Sequence, residues 1–146
     1  MKLFLSITLF ALVACVSTNN TPEGVLQDFV EARIGKVIDK EFVTERVTGK
    51  MLQSFENMSD EDFSKFSDMS NVKTDSFKIL SKSCSDKKCF ITYSVGYLTK
   101  RDEKVVFSSE VKKIAEVLQV GTKWLIADVS NIKTYHESLE SINALE

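Results

Sequence analysis

Cys89-Phe90-Ile91-Thr92-Tyr93-Ser94-Val95-Gly96-Tyr97-Leu98 decides the fold class. Ile91, Tyr93, Val95 and Tyr97 share one parity; Phe90, Thr92, Ser94, Gly96 and Leu98 share the other. Successive side chains of a strand point to opposite faces, so this alternation predicts a strand with one apolar face. Upstream, Ser85-Asp86-Lys87-Lys88 is a polar turn, preceded by a less regular strand from Ser76 to Cys84. Pairing across that turn places Cys84 and Cys89 on opposite sides of one hairpin.

Downstream, Thr99-Lys100-Arg101-Asp102-Glu103 is a charged turn. Lys104 to Val120 follows as a long strand. Val105, Phe107 and Val111 have one parity, Ile114, Leu118 and Val120 the other, and a switch of parity inside a strand predicts a β-bulge. Gly121-Thr122 is a tight turn. Lys123 to Ile132 is the last strand, with Trp124, Leu125, Ile126 and Val129. From Lys133 to Glu146 the chain is polar; Leu139, Ile142 and Leu145 allow a terminal helix there.

On the other side of the hairpin the period is helical. Thr21-Pro22-Glu23 suits an N-cap, a first helical position and a favourable charge at the positive end of the dipole. Leu26, Phe29, Val30, Ile34, Val37 and Ile38 then recur at helical spacing, which predicts one long amphipathic helix with Gly35 near its end. Lys40 to Val47 predicts a short second helix, broken at Thr48-Gly49. Met51, Leu52 and Phe55 predict another turn or two. Ser59-Asp60-Glu61-Asp62 resembles a capping box. It opens a helix whose apolar edge, Phe63, Phe66 and Met69, either packs or flanks a cavity mouth. Helices first and four antiparallel strands after them make an α+β domain. The expected architecture is a curved four-stranded sheet with its concave face covered by the long helix.

The first residues carry a different signal. Lys2 precedes an uncharged run from Leu3 to Ala14, too short to span a bilayer and suited to a secretory leader. The run closes Leu12-Val13-Ala14-Cys15. Here the chain resembles the bacterial lipoprotein family, whose lipobox reads Leu, a small or β-branched residue, Ala or Gly, then Cys. The resemblance implies cleavage before Cys15 and lipid on its thiol, so that residues 1–14 are a signal peptide and 15–20 a lipidated tether. Two or more acyl chains anchor a protein stably. Val16 stands where an Asp would retain an enteric lipoprotein in the inner membrane. The expected address is therefore the outer membrane, facing the periplasm.

With Cys15 given to lipid, Cys84 and Cys89 remain of the three cysteines. An even remainder in an oxidising compartment points to a disulfide; the alternative is two unpaired small apolar residues. The C-x4-C spacing is not that of a C-x-x-C redox or zinc site.

A second resemblance covers roughly residues 21–135. Thr21-Pro22-Glu23 leading into Val25, Phe29 and Val30, and Val120-Gly121-Thr122-Lys123-Trp124-Leu125-Ile126-Ala127-Asp128-Val129, resemble the NTF2-like (cystatin-like α+β) superfamily. That resemblance implies a cone-shaped domain, with residues 136–146 as a polar C-terminal tail. The superfamily holds enzymes, ligand-binding domains and assembly modules, and its catalytic Asp–His and Asp–Tyr patterns do not map here.

Composition narrows the function. With 19 Lys and Arg against 21 Asp and Glu, the net charge is −2 and mixed in sign, unlike a dedicated nucleic-acid binder. His136 is the only histidine and falls in the polar tail, without the convergent ligands of a metal site or the partner of a general base. Asp60-Glu61-Asp62 reads as a helix start rather than a cation site. No nucleophile arrangement and no Gly-rich phosphate loop is present, and no cofactor is implied. Lys87-Lys88 and Lys112-Lys113 read as charged turns or edges that discourage aggregation, rather than as a site for an anionic partner. Phe29, Tyr93, Tyr97 and Trp124, with Phe63, are either core or the lining of an apolar pocket. The expectation is a non-catalytic module that binds an envelope protein or a small apolar ligand and reaches the bilayer through Cys15. The alternatives are an accessory subunit of an envelope assembly or secretion complex, and a small cone-site enzyme.

Overall fold

A computed structural model describes residues 20–139. Cys15, the leader and the end of the tail lie outside the described residues. The chain runs α1 (Pro22–Arg33), α2 (Lys40–Thr44), α3 (Gly49–Glu56), α4 (Asp60–Ser67), β1 (Val72–Ser85), β2 (Lys88–Arg101), β3 (Lys104–Val120) and β4 (Lys123–Ser138). The four strands form one antiparallel sheet in the order β1-β2-β3-β4, open at both edges. The α+β class is as expected.

The start of α1 follows the sequence signal: Thr21 Oγ1 accepts from the Gly24 amide at 3.0 Å, with Pro22 in the first turn. Its end does not. The predicted helix through Ile38 stops at Arg33, because Gly35 takes φ 72° and its N–H donates to the Met69 carbonyl at 3.0 Å. The Met69 amide donates back to Lys36, and Val37 bridges Asp68. A short ladder between the α1–α2 and α4–β1 connections thus replaces the last helical turn. At α4, Ser59 Oγ accepts from the Asp62 amide at 3.1 Å, and its hydroxyl donates to Asp62 Oδ2 at 2.7 Å. The Asp62 side chain therefore meets the Ser59 hydroxyl rather than completing a reciprocal capping box.

Helical and sheet faces close on one core. Leu26, Phe29 and Val30 of α1 and Val43, Val47, Phe55 and Phe63 of the following helices and links are buried with Ile91, Tyr93 and Val95 of β2, Ala115 and Val117 of β3, and Ile126 of β4. The covering layer is therefore four helices, not the first one alone. The link between α2 and α3 also guards the edge of β4: the Ile126 amide donates to the Arg46 carbonyl at 2.9 Å, and the Thr48 amide to the Ile126 carbonyl at 2.8 Å. Lys82 of β1 pairs with Glu23 of α1. The Glu23 carboxyl is held below its usual range: burial pushes it up, but the Lys82 hydrogen bond, its own backbone N–H and the Lys82 charge together outweigh that.

Strand irregularities sit elsewhere than expected. In β3 the extra residue is Val106, between pairs Thr99↔Phe107 and Lys100↔Val105. From Phe107 to Leu118 the strand then pairs with β2 without a break. Ile114 and Leu118 are simply half-buried residues of the other face. Asp75 and Leu80 are extra in β1, and Ala127 and Ile132 in β4. Such insertions bend a strand and increase its twist.

Two further corrections concern ends. β1 begins at Val72 rather than Ser76. β4 does not stop at Ile132 but continues to Ser138, so Lys133 to Ser138 is strand rather than tail or helix. The reason is β3: its first half, Phe107 to Lys112, is long enough to pair with Lys133 to Ser138. His136 accordingly lies in β4 opposite Ser109, not after the last strand. The hairpins are tight. Asp102 and Glu103 both have positive φ (49° and 63°), the geometry of a type I′ turn.

Candidate functional site: a cation-lined cavity under the first helix

The side of the sheet that carries the helices is not filled throughout. A cavity of about 210 Å³ opens between the C-terminal half of α1, the α3–α4 region and the middle of β2 and β3. Phe29, Tyr93 and Tyr97 line it, three of the four aromatics singled out in the sequence. Trp124 does not. It borders a separate cleft of about 420 Å³ with Asp28, Glu45, Arg46 and Lys123. Phe63 is buried in the core, edge-on to Phe55 with ring centroids 6.4 Å apart, while Phe66 and Met69 of the same apolar edge line the cavity.

Sequence reasoning missed the two charged residues. Arg33 and Lys113 both line this cavity, and no Asp or Glu does. Helix geometry carries Arg33 there. It follows Val30 by three residues and Phe29 by four, so it continues the buried stripe. Its guanidinium lies 3.9 Å from the centroid of the Phe66 ring and 5.6 Å from that of Phe29, and its Nη2 donates to the Phe66 carbonyl at 3.4 Å. Its Nε is buried with no hydrogen-bond partner among the described residues.

Sheet register carries Lys113 there. It sits opposite Tyr93 on β2 and Asn131 on β4, two residues from Ala115 and Val111 of the covered face. β3 is an inner strand, so Lys113 is not an edge charge; Lys112 beside it points to the other face and is exposed. Burial pushes the Lys113 ammonium down from its ordinary range, and the nearby Arg33 adds to this. Burial also lowers Arg33. It pushes both phenols up, Tyr93 further than Tyr97, with Arg33 opposing. Neither phenol hydroxyl has a hydrogen-bond partner among the described residues. The site at neutral pH is thus two cations and two neutral donors on an otherwise apolar wall.

The remaining candidates are accounted for locally. Cys84 and Cys89 form a disulfide, paired across the hairpin with Cα atoms 4.1 Å apart. That is close to the roughly 4.5 Å of a non-hydrogen-bonded pair. His136 Nδ1 lies 2.7 Å from Ser109 Oγ, with Tyr97 on the far side of Ser109, but His136 is exposed and lines none of the three main cavities among the described residues. Lys88 pairs with Glu116 at 2.6 Å. In the Trp124 cleft Arg46 is stacked 3.8 Å from the Phe42 centroid and lies 3.5 Å from Glu45, so that site supplies its own counter-charge. Among the described residues no cluster of three or more His, Cys, Asp or Glu is arranged to hold a metal, and no helix is long and apolar enough to cross a membrane. Comparison of the chain with protein-family models, with curated proteins and with solved structures finds no match.

Proposed function

We propose that this chain is a bacterial envelope lipoprotein, held to the outer membrane by lipid on Cys15 and facing the periplasm, whose domain is a non-catalytic binding module with an NTF2-like cone. The single observation that carries the binding reading is the cavity under α1. It combines apolar walls with a few convergent polar groups, the usual make-up of a small-molecule site. Its lining has no carboxylate, imidazole, thiol or aliphatic hydroxyl, so Lys113 and the two phenols are its only acid–base groups. The Leu12-Val13-Ala14-Cys15 sequence supports the anchor, and the Cys84–Cys89 bridge fits an oxidising compartment. A tether would concentrate the module at the membrane surface.

Mass spectrometry of the protein extracted from membranes tests the anchor. The expected species begins at Cys15 and carries acyl chains; an unmodified thiol or another N-terminus contradicts it. A second reading, an accessory subunit of an envelope complex, draws on Phe90, Ile132 and Tyr135, exposed at 42%, 52% and 54%. Lys88 lies over the Phe90 ring and Lys133 over the Tyr135 ring, at 4.9 and 4.5 Å, so neither ring is bare. Crosslinking followed by affinity purification of the anchored protein separates the two readings: a stoichiometric protein partner favours the subunit.

A further inference from the structure

We propose that the cavity takes a small organic carboxylate with an apolar body, its carboxylate held by Arg33 and Lys113. This rests on the binding reading above and names the chemistry of its ligand.

Charge comes first. Two cations share one cavity, no carboxylate lines it, and neither makes an ion pair among the described residues. Half-buried like charges without a counter-ion cost folding free energy. Among the described residues Arg46, Lys65, Lys82 and Lys88 each have an acidic partner, whereas Arg33 and Lys113 do not. An anion from outside the chain removes the conflict.

Geometry comes second. Arg33 Nε is sealed within the wall and out of a ligand's reach, so a cavity ligand meets the Arg33 charge and not this donor. The Arg33 guanidinium is already held over the Phe66 ring, near that of Phe29, and by the Phe66 carbonyl. A fork so held gives up little freedom on binding and matches the two oxygens of a carboxylate. Lys113, from the opposite wall, adds a point charge, and the Tyr93 and Tyr97 hydroxyls are free to donate.

Size and polarity come third. Val30, Ile34, Met51, Phe66, Met69 and Val129 give the rest of the wall an apolar surface, which suits a hydrocarbon body and not a hydrated inorganic anion. At about 210 Å³ the space is somewhat larger than the roughly 150 Å³ that accommodates benzene, so the ligand has on the order of ten non-hydrogen atoms.

The test is calorimetric titration of the full-chain protein with hydrocinnamate and with its neutral isostere, hydrocinnamyl alcohol. The acid is expected to bind at least about tenfold more tightly than the alcohol. Arg33→Gln and Lys113→Met should each reduce acid affinity by about that factor and leave the alcohol unchanged. Should Arg33→Gln fail to fold, Arg33→Lys, which keeps the charge and loses the fork, is expected to weaken the acid less than Lys113→Met does. Equal binding of acid and alcohol overturns the carboxylate inference and leaves the binding module standing. Acid binding untouched by Lys113→Met and by both Arg33 variants places the ligand elsewhere and also overturns it. Absence of binding by either compound removes the inference and the cavity-binding reading together.

Discussion

The Arg33 guanidinium sits 3.9 Å from the centroid of the Phe66 ring, so the end of α1 is fastened to α4 through a charged side chain at a cavity wall. A cation over an aromatic face, partly out of water, is worth about 1–2 kcal/mol. The same contact holds the guanidinium at the cavity wall. Stability and site geometry are therefore coupled at one ring.

Phe66→Leu should expose that coupling. We expect a loss of about 1–3 kcal/mol from the missing ring contacts and the cation–aromatic attraction together. Urea unfolding checks it. A loss within error of zero would mean that Arg33 is not held by Phe66 in solution.

Lys113→Met should behave in the opposite sense. The Lys113 ammonium is depressed by burial and by Arg33, so the unfolded chain binds its proton more readily than the folded one. Its charge thus costs stability at pH values below its folded pKa. That cost is relieved as pH rises through the lowered folded value toward the ordinary lysine range. Arg33 from α1 and Tyr93 and Tyr97 from β2 share the cavity; burial raises both phenols, so they stay neutral at the start of that window. The methionine variant should be as stable as the native protein or more so at neutral pH, with its margin shrinking in alkali. Thermal unfolding of both proteins as a function of pH checks the sign; a margin that grows with pH contradicts it.

Glu103→Gly should stabilise the β2–β3 hairpin. Glu103 holds φ at 63° in a two-residue turn, where a side chain costs about 1–2 kcal/mol that glycine avoids. Part of that gain is lost to the greater freedom of glycine in the unfolded chain. A rise of a few degrees in Tm is expected; a fall would mean that the Glu103 side chain makes a contact worth more than the backbone strain.

Removing the Cys84–Cys89 bridge should cost no more than about 2 kcal/mol, because the loop it closes is short. Chemical denaturation of the Cys84→Ala, Cys89→Ala double variant against the oxidised protein measures this. A complete loss of folding would show that the bridge does more than pin one hairpin end.

Legibility in the sequence followed local pattern and failed where partners at long range decided. The apolar face in Cys89–Leu98 carried over, with Ile91, Tyr93 and Val95 all buried, although Ser94 and Gly96 of the other parity are buried as well, and the limits of the third strand were readable from its two turns. Thr21-Pro22 and Ser59 announced helix starts because capping is local chemistry. Gly35 ended α1 earlier than the apolar spacing suggested, since the ladder to Met69 lies more than thirty residues away in sequence. Lys133 to Ser138 looks polar because neither face of that part of β4 meets the core, and only β3 makes it a strand. The cavity was half legible. Phe29, Tyr93 and Tyr97 were named from their faces. Arg33 and Lys113 were passed over because charge marks a residue as solvated, although helical spacing and strand parity put each on the covered side.

The most direct test of the account follows the Arg33 Nε–Hε resonance by NMR during titration with hydrocinnamate. This resonance of a guanidinium beside which a carboxylate binds should shift and saturate with the ligand, and hydrocinnamyl alcohol should leave it in place. A resonance that stays fixed while the acid binds, or moves equally with the alcohol, would contradict the claim that this cavity is built around an anion.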